Sequence, residues 1–233
     1  MRKTNTAAEM TQFNVNALNE MAIELMRSAR PQEAACLLSK AMAQINFDYS
    51  TPDTSMTQSG KRARRTSLEA SSLLHYTWIC PPKHAEQVSP GNTFDFYPIV
   101  FSVEALCEEV SPAMFNGILA PVMQCNLAVL YHQTALNDGC SRRLDQAVKL
   151  YKAAVKTLRR WADESTAFAL FVATANMAHI HSHFHDFQRA KNCFDVAIQI
   201  ISCVEEECLT EVVLDSVFFH SMSMSIPNLA SAA

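Results

Sequence analysis

The sequence predicts a mainly helical domain built from antiparallel helix hairpins, with a small antiparallel β element inserted among them. Three observations lead to this fold class. Long stretches rich in Ala, Leu, Met, Gln and Glu carry apolar residues three and four positions apart, the spacing of one helix face. Only four glycines occur among 233 residues, which disfavours a β-sandwich or barrel with many tight turns. Two aromatic and β-branched stretches interrupt the helical pattern and are typical of strands.

Composition excludes several classes of protein. The net charge is −4 and the isoelectric point about 6.1, so no strong overall field attracts the chain to nucleic acid or to an anionic membrane. The eight cysteines are scattered without a CxxC pair, which favours reduced thiols over a zinc site or a disulfide framework. Because no leader-like or membrane-spanning apolar run occurs, we expect an intracellular protein, cytoplasmic or nuclear, without a cofactor.

We expect a single domain, residues 14–226, between two flexible tails. Its parts, in order, are hairpin 1 (15–45), a disordered insert (48–70), a β segment (72–103), hairpin 2 (117–160), hairpin 3 (165–206) and a C-terminal strand or cap (211–226), and the tails are 1–13 and 227–233. The insert is polar and rich in Ser and Thr, so it cannot bury enough apolar surface to offset the entropy of ordering. In hairpin 1, Pro31 lies where the second helix begins, a position that proline favours.

The β segment contains two predicted strands, Leu73–Cys80 and Phe94–Val103. They could form a hairpin with a long loop, and Pro98 restricts the second strand to a sheet edge or a bulge. A two-stranded ribbon is marginally stable alone, so it needs a third strand or a helical surface to lie on. Residues 211–226 alternate Met or Ile with Ser towards their end, which predicts that third strand, with a capping helix as the alternative.

Small residues recur at equivalent places in the three hairpins. They are Ala22, Ala34 and Ala41 in hairpin 1, Ala128, Ala147 and Ala154 in hairpin 2, and Ala178, Ala190 and Ala197 in hairpin 3. Antiparallel helices approach closely only where small side chains lie at their crossing points, so we predict that these alanines form the contacts within each hairpin. Hairpin 2 has seven more residues than the others between its first two alanines, and we assign them to a long turn at 134–142.

This pattern, with Tyr131, Tyr151 and Phe194 as large partners of the alanines, resembles the tetratricopeptide repeat (TPR) family. The family's helix hairpins stack into an α-solenoid, and the resemblance covers about 100 residues of this chain. Two departures are evident, since alanine replaces the glycine usual in the first helix and about 70 residues separate hairpin 1 from hairpin 2. The divergent repeats, the inserted β segment and the helix ending in HIHSHF also resemble a group of diatom-type intracellular proteins.

The resemblance implies a non-enzymatic module for protein–protein interaction, which binds a peptide or a partner helix in the groove of its hairpins. Asn126 and Asn176 occupy a slot that faces the groove in the resembled family, and Glu20 takes that slot in hairpin 1. A primary amide there can hydrogen-bond an extended main chain, so we predict that Asn126 and Asn176 bind peptide. The alternative is that both are ordinary solvent-facing residues. The family's carboxylate clamp is not matched, so a chaperone tail is not implied as the ligand.

The alternating histidines His179, His181, His183 and His185 indicate a different function. Residues four apart share a helix face, so they form the pairs His179/His183 and His181/His185, and His181 falls at a packing position. The pair His179/His183, with Asp186 near, could ligate a metal, which makes a metal-binding protein or metal-dependent enzyme the alternative. A pH-sensitive surface is a further interpretation. No HExxH motif, P-loop or nucleophile elbow occurs, so we expect no enzymatic activity.

Two basic stretches complete the candidate sites. Lys149, Lys152, Lys156 and Arg159 share one predicted helix face, which could bind an acidic peptide or remain a solvated surface. The run Lys61–Arg65 resembles a nuclear-import signal, and Ser67 after it is a candidate phosphorylation site for a basic-directed kinase. A structural or oligomerising protein, whose exposed β edge pairs with another copy, is the second alternative function.

Overall fold

The computed structural model of the chain describes residues 5–49, 74–79, 94, 96–103, 112–161 and 164–202. Within these ranges it is mainly helical and has one two-stranded antiparallel sheet. The helices are α1 (Asn5–Arg27), α2 (Pro31–Tyr49), α3 (Pro112–Asp138), α4 (Ser141–Leu158), α5 (Glu164–His183) and α6 (Phe187–Ser202), and the strands are β1 (Leu74–Trp78) and β2 (Ile99–Val103). The predicted class, mainly α with a small antiparallel β element, is confirmed. No helix in the described residues is long and apolar enough to cross a membrane.

Several predicted features lie outside the described residues. They are the insert beyond residue 49, the C-terminal strand or cap (211–226), the tail 227–233, the Lys61–Arg65 run and Ser67. At the other end, α1 begins at Asn5, so residues 5–13, which the sequence assigns to a flexible tail, are helical.

The helices pair in the order in which they occur along the chain. α1 packs on α2, α3 on α4 and α5 on α6, while α2 and α4 also contact the first helix of the following hairpin. The nine aligned alanines are all fully buried: Ala22, Ala34, Ala41, Ala128, Ala147, Ala154, Ala178, Ala190 and Ala197. Side chains of this size allow two helix backbones to approach closely, which agrees with the predicted contacts within each hairpin.

The three hairpin turns share one backbone geometry. Ala29, Gly139 and His185 adopt the left-handed conformation, with φ of 55°, 67° and 58°, and each lies two residues before the next helix begins. The closing hydrogen bonds run from the N–H of Arg30 to the carbonyl of Leu25 at 2.9 Å, from Cys140 to Ala135 at 3.2 Å and from Asp186 to His181 at 2.9 Å. This pattern is the Schellman closure of a helix C-terminus, and it turns the chain back in the same way each time.

Hairpin 2 places its seven extra residues in helix and not in its turn. α3 continues to Asp138 and α4 begins at Ser141, so the predicted long turn at 134–142 is wrong. Because Gly139 closes the turn as Ala29 and His185 do, the extra residues lengthen the two helices, four of them in α3 and three in α4.

The two strands form the small ribbon that was predicted. They pair antiparallel, with Tyr76 opposite Phe101. β2 begins directly after Pro98, whose carbonyl accepts the N–H of Ile79 at 3.0 Å, so the missing proline N–H interrupts no strand pair. β2 packs on α1 and α3, and these helices supply the support that an isolated ribbon lacks.

Candidate peptide-binding groove

An extended stretch of the chain, residues 96–103, lies across three helices and is called here the groove segment. One edge of it pairs with β1. The opposite edge meets Asn16 and Asn19 of α1, Asn126 of α3 and Asn176 of α5, called here the asparagine row. Alternate residues of an extended chain present their main-chain groups to opposite edges, so one segment can bind a strand and the asparagine row together.

Asn126 binds both main-chain groups of Phe101. The Phe101 N–H donates to Oδ1 at 2.8 Å, and Nδ2 donates to the Phe101 carbonyl at 2.7 Å. Nδ2 also donates to Oδ1 of Asn19 at 2.9 Å, while Nδ2 of Asn19 donates to the same Phe101 carbonyl at 3.0 Å. Both asparagines are fully buried, so these bonds take the place of water around the main chain.

Asn176 repeats the arrangement four residues earlier in the segment. The Tyr97 N–H donates to its Oδ1 at 2.8 Å, and its Nδ2 donates to the Tyr97 carbonyl at 2.9 Å and to the Tyr151 hydroxyl at 3.1 Å. Four residues of extended chain span about 13 Å, so hairpins 2 and 3 meet the segment at points about that far apart. Asn126 and Asn176 are thus brought onto one extended main chain, which is the protein's own. Both are fully buried, so the alternative that they face solvent is wrong.

Hairpin 1 contributes two asparagines to the groove and not Glu20. Nδ2 of Asn16 donates to the Val103 carbonyl at 2.9 Å, and Asn19 binds the carbonyl of Phe101. Glu20 follows Asn19 directly and so points about 100° away around the helix, where its side chain is exposed. The predicted assignment of the groove slot to Glu20 is therefore wrong by one residue.

Side chains of the groove segment fill the spaces between helices. The Phe101 ring meets Phe168 of α5 with centroids 6.0 Å apart, and the Tyr97 ring lies 5.7 Å from that of Phe171. Between them along the segment, Ile99 is fully buried. The segment is therefore bound through its main chain and through apolar side chains.

A buried histidine pair lies beside the segment. Nε2 of His132 and Nδ1 of His179 are 3.0 Å apart, and the Phe96 ring packs on both imidazoles at centroid distances of 4.1 and 5.8 Å. Burial, and to a smaller extent repulsion from neighbouring histidines, lowers the pKa of both histidines, to about 4 for His179. Both rings are therefore neutral near pH 7.

The tautomer of the pair follows from its surroundings. Nδ1 of His132 is buried and has no hydrogen-bond partner in the part of the chain that the structure describes. At the buried Nδ1 of His132, an acceptor nitrogen without a partner costs less free energy than an N–H without a partner. We therefore assign the hydrogen to Nε2 of His132, which donates to Nδ1 of His179.

The remaining histidines do not extend this pair. His181 is buried, and burial is the main cause that lowers its pKa. His183 and His185 are exposed, so the predicted pair His179/His183 is divided between the interior and the surface. Among the described residues, no group of three or more His, Cys, Asp or Glu side chains is placed to hold a metal ion.

Other candidate groups lie apart from the groove or lack reactivity. Lys149, Lys152 and Lys156 are exposed on α4, and Arg159 is exposed in the 3-10 turn Arg159–Trp161 that follows it. Burial raises the pKa of the Cys125 thiol to about 12, and it raises the pKa of Tyr151 well above its usual value. Neither side chain is therefore an anionic nucleophile at neutral pH.

Sequence reasoning missed Asn16, Asn19 and His132. Asn16 and Asn19 lie three apart and therefore share a helix face, which was a usable signal. For His132 no local signal existed, because its partner His179 is 47 residues away. Comparison with family models, with curated proteins and with solved structures gives no match.

Proposed function

We propose that this protein is a non-enzymatic, TPR-like interaction module that binds an extended peptide of a protein partner along the groove of its helix hairpins. The observation that supports this function is the double pairing of one asparagine amide with one residue, made by Asn176 at Tyr97 and by Asn126 at Phe101. Hydrogen bonds to main-chain groups do not depend on the identity of the bound side chain. The asparagine row can therefore bind any extended segment whose side chains fit the spaces between the helices.

The packing of the hairpins supports a TPR-like arrangement. Stacked hairpins bury small residues at their contacts and present a continuous surface formed by equivalent helices. Here the aligned alanines are buried, and α1, α3 and α5, the first helices of the three hairpins, all reach the groove segment.

A random decapeptide display library, panned against the full chain, tests the function. We expect the library to enrich peptides whose apolar side chains are four residues apart. Fluorescence anisotropy measures the binding of the enriched peptides. Addition of an enriched peptide should shift the side-chain amide NMR signals of Asn126 and Asn176, because these amides then pair with a different main chain.

The matched control is the side-chain amide of Asn137, an exposed asparagine on the same helix as Asn126. Its signal should not move when the peptide is added. A library that enriches nothing above empty resin, or enriched peptides that bind without shifting the signals of Asn126 and Asn176, would refute groove binding.

A further inference from the structure

We infer that the groove segment is the protein's own ligand, and that a partner binds by displacing it. The partner is an extended peptide with aromatic side chains four residues apart, in the places of Tyr97 and Phe101. This inference rests on the proposed function, because it assumes that the groove receives a partner.

The hydrogen bonds of the segment are of a kind that another peptide can replace. On the edge facing the helices, the Tyr97, Phe101 and Val103 main chain is bound by side-chain amides. A strand in a continuous sheet depends on the register of a neighbouring strand, whereas an asparagine amide pairs with any extended residue placed opposite it. The row therefore offers its bonds equally to the chain's own segment and to one supplied from outside.

The pockets define which peptides can compete. Phe168 and Phe171 of α5 receive the rings of Phe101 and Tyr97, and the position between them, that of Ile99, is fully buried. A charged side chain at any of these three positions would be buried without an ion partner, at a large cost in free energy. The competing peptide is therefore apolar at all three positions.

Beside these pockets the surroundings are neutral. The Phe96 ring packs on the His132–His179 pair, whose hydrogen bond is satisfied within the pair. At the far end Phe94 packs on Phe194 of α6 with centroids 5.1 Å apart. The peptide can therefore also carry aromatic residues at the positions of Phe94 and Phe96. Because both positions precede that of Tyr97, they fix the direction in which the peptide lies in the groove.

Displacement predicts a specific competition experiment. The probe is a fluorescein-labelled synthetic peptide with the sequence of residues 94–103, and the receptors are the full wild-type chain and its Phe101→Ala variant. The substitution weakens only the internal copy of the ligand, since Asn126 and the Phe168 pocket remain. We expect the variant to bind the peptide at least tenfold more tightly than the wild type, because truncating a buried aromatic ring removes a contact worth about tenfold or more.

Two controls accompany this measurement. Phe184→Ala truncates a phenylalanine that is 40% exposed, and it should leave the affinity for the peptide unchanged. A peptide carrying alanine in place of Phe101 should bind the Phe101→Ala chain at least tenfold more weakly than the unmodified peptide. Equal affinity of wild type and Phe101→Ala for the probe, or no binding by a Phe101→Ala chain whose circular dichroism is native, would overturn the inference.

Hydrogen exchange of the wild-type chain tests the inference without any variant. The amides of Tyr97 and Phe101 should exchange through a local opening populated at least a hundredfold more than the opening that exposes the amides of α4. If these amides exchange only at the rate of global unfolding, the segment is a permanent part of the core and the inference fails.

The two proposals fail in distinguishable ways. If library peptides bind the wild type while the exchange of the Tyr97 and Phe101 amides is the same with and without peptide, the chain binds peptides outside the groove and displacement is refuted. If the labelled segment peptide exchanges with the internal copy while no foreign peptide is ever enriched, the segment is a cis ligand and the partner function is refuted.

Discussion

The primary amide of asparagine carries a donor and an acceptor in the same spacing as a peptide unit, so it can take the place of a neighbouring strand. Asn126 and Asn176 do this for Phe101 and Tyr97. A carboxylate could accept from the N–H but could not donate to the carbonyl, and an apolar side chain could do neither. Asparagine is thus suited to these two buried positions, and its role depends on both ends of the amide.

Replacing Asn126 by alanine should lower the free energy of unfolding by about 2–4 kcal/mol. The substitution leaves the buried Phe101 N–H and Oδ1 of Asn19 without their partner, whereas the Phe101 carbonyl keeps its bond from Asn19. Urea denaturation followed by circular dichroism measures the change. Asn137→Ala, exposed on the same helix, should stay within about 0.5 kcal/mol of the wild type. An equal effect of the two substitutions would show that the amide is not structurally important.

The histidine pair predicts how stability depends on pH. In the unfolded chain His179 has its ordinary pKa of 6.5, whereas in the folded chain its pKa is about 4. The unfolded state therefore binds more protons between these values, and the folded state loses stability as the pH falls from 6.5 towards 4. A pKa shift of this size at His179 alone lowers the free energy of unfolding by about 3 kcal/mol once the pH has fallen to 4.

The variant His179→Asn isolates this contribution. It retains an acceptor for the His132 N–H but cannot titrate, so the loss of stability per pH unit between 6.5 and 4.5 should shrink by about 1 kcal/mol. The control is His183→Asn, an exposed residue on the same helix, which should change the slope much less. Urea midpoints at several pH values give both slopes, and parallel curves for wild type and His179→Asn would contradict the assignment.

Single residues were predictable from the sequence only where their position follows from the alignment of the hairpins. Asn126 and Asn176 were identified in this way, because each lies two residues before an aligned alanine, a position that faces the groove in the family that the chain resembles. The same rule chose Glu20 in hairpin 1, where the structure uses Asn19, since a shift of one residue turns a side chain by about 100°. The identity of the bound main chain could not be predicted, because Tyr97 lies 79 residues from Asn176.

At the level of elements, one turn geometry organises all three hairpins. A left-handed residue follows each first helix, although only hairpin 2 uses glycine there, and Ala29 and His185 carry a β-carbon in that conformation. For residues other than glycine the left-handed conformation costs about 1–2 kcal/mol. The Schellman hydrogen bonds at each turn offset this cost, because they close the first helix and set the direction of the next one.

Exchanging these turn residues should shift stability in opposite directions. Ala29→Gly should raise the free energy of unfolding by about 0.5–1 kcal/mol, since relief of the backbone conformation exceeds the extra freedom of glycine in the unfolded chain. Gly139→Ala should lower it by about 1 kcal/mol through the backbone alone, because no atom of the described residues, apart from its chain neighbours, lies within 4 Å of the added β-carbon. Thermal unfolding by calorimetry measures both. A stabilising Gly139→Ala would exclude backbone conformation as the governing factor.

Element types were more predictable than element ends. The helical spacing located the hairpins, and the aromatic and β-branched stretches located both strands. The sequence around Asn137, Asp138 and Gly139 is typical of a turn, which led to the expectation of a long turn in hairpin 2. The structure needs only Gly139 and Cys140 there, because one left-handed residue is enough to reverse the chain, and Asn137 and Asp138 end α3 as exposed residues.

For the whole molecule, the groove segment changes how the hairpins depend on one another. In a repeat array each hairpin contacts its neighbours, so stability is transmitted only from one to the next. Here one extended segment of eight residues is bound by α1, α3 and α5 together. Hairpin 1 is therefore coupled to hairpin 3 through a segment that belongs to neither of them. Local sequence patterns do not show which distant segments contact each other. The sequence therefore predicted the groove but not the segment that binds in it.

This coupling predicts the effect of releasing the segment from hairpin 1 alone. Asn16→Ala/Asn19→Ala removes the donors to Val103 and Phe101 on α1 and leaves Asn126 and Asn176 in place. We expect hairpin 1 to unfold at a lower urea concentration than the rest, so the single transition of the wild type becomes broader and its apparent m-value falls. Near-ultraviolet and far-ultraviolet circular dichroism should then give separate midpoints. The control is Asn14→Ala, an exposed residue on the same helix, which should keep one steep transition. If the double variant shows an unchanged m-value at a lower midpoint, the segment adds stability without coupling the hairpins, and they are held together by helix contacts alone.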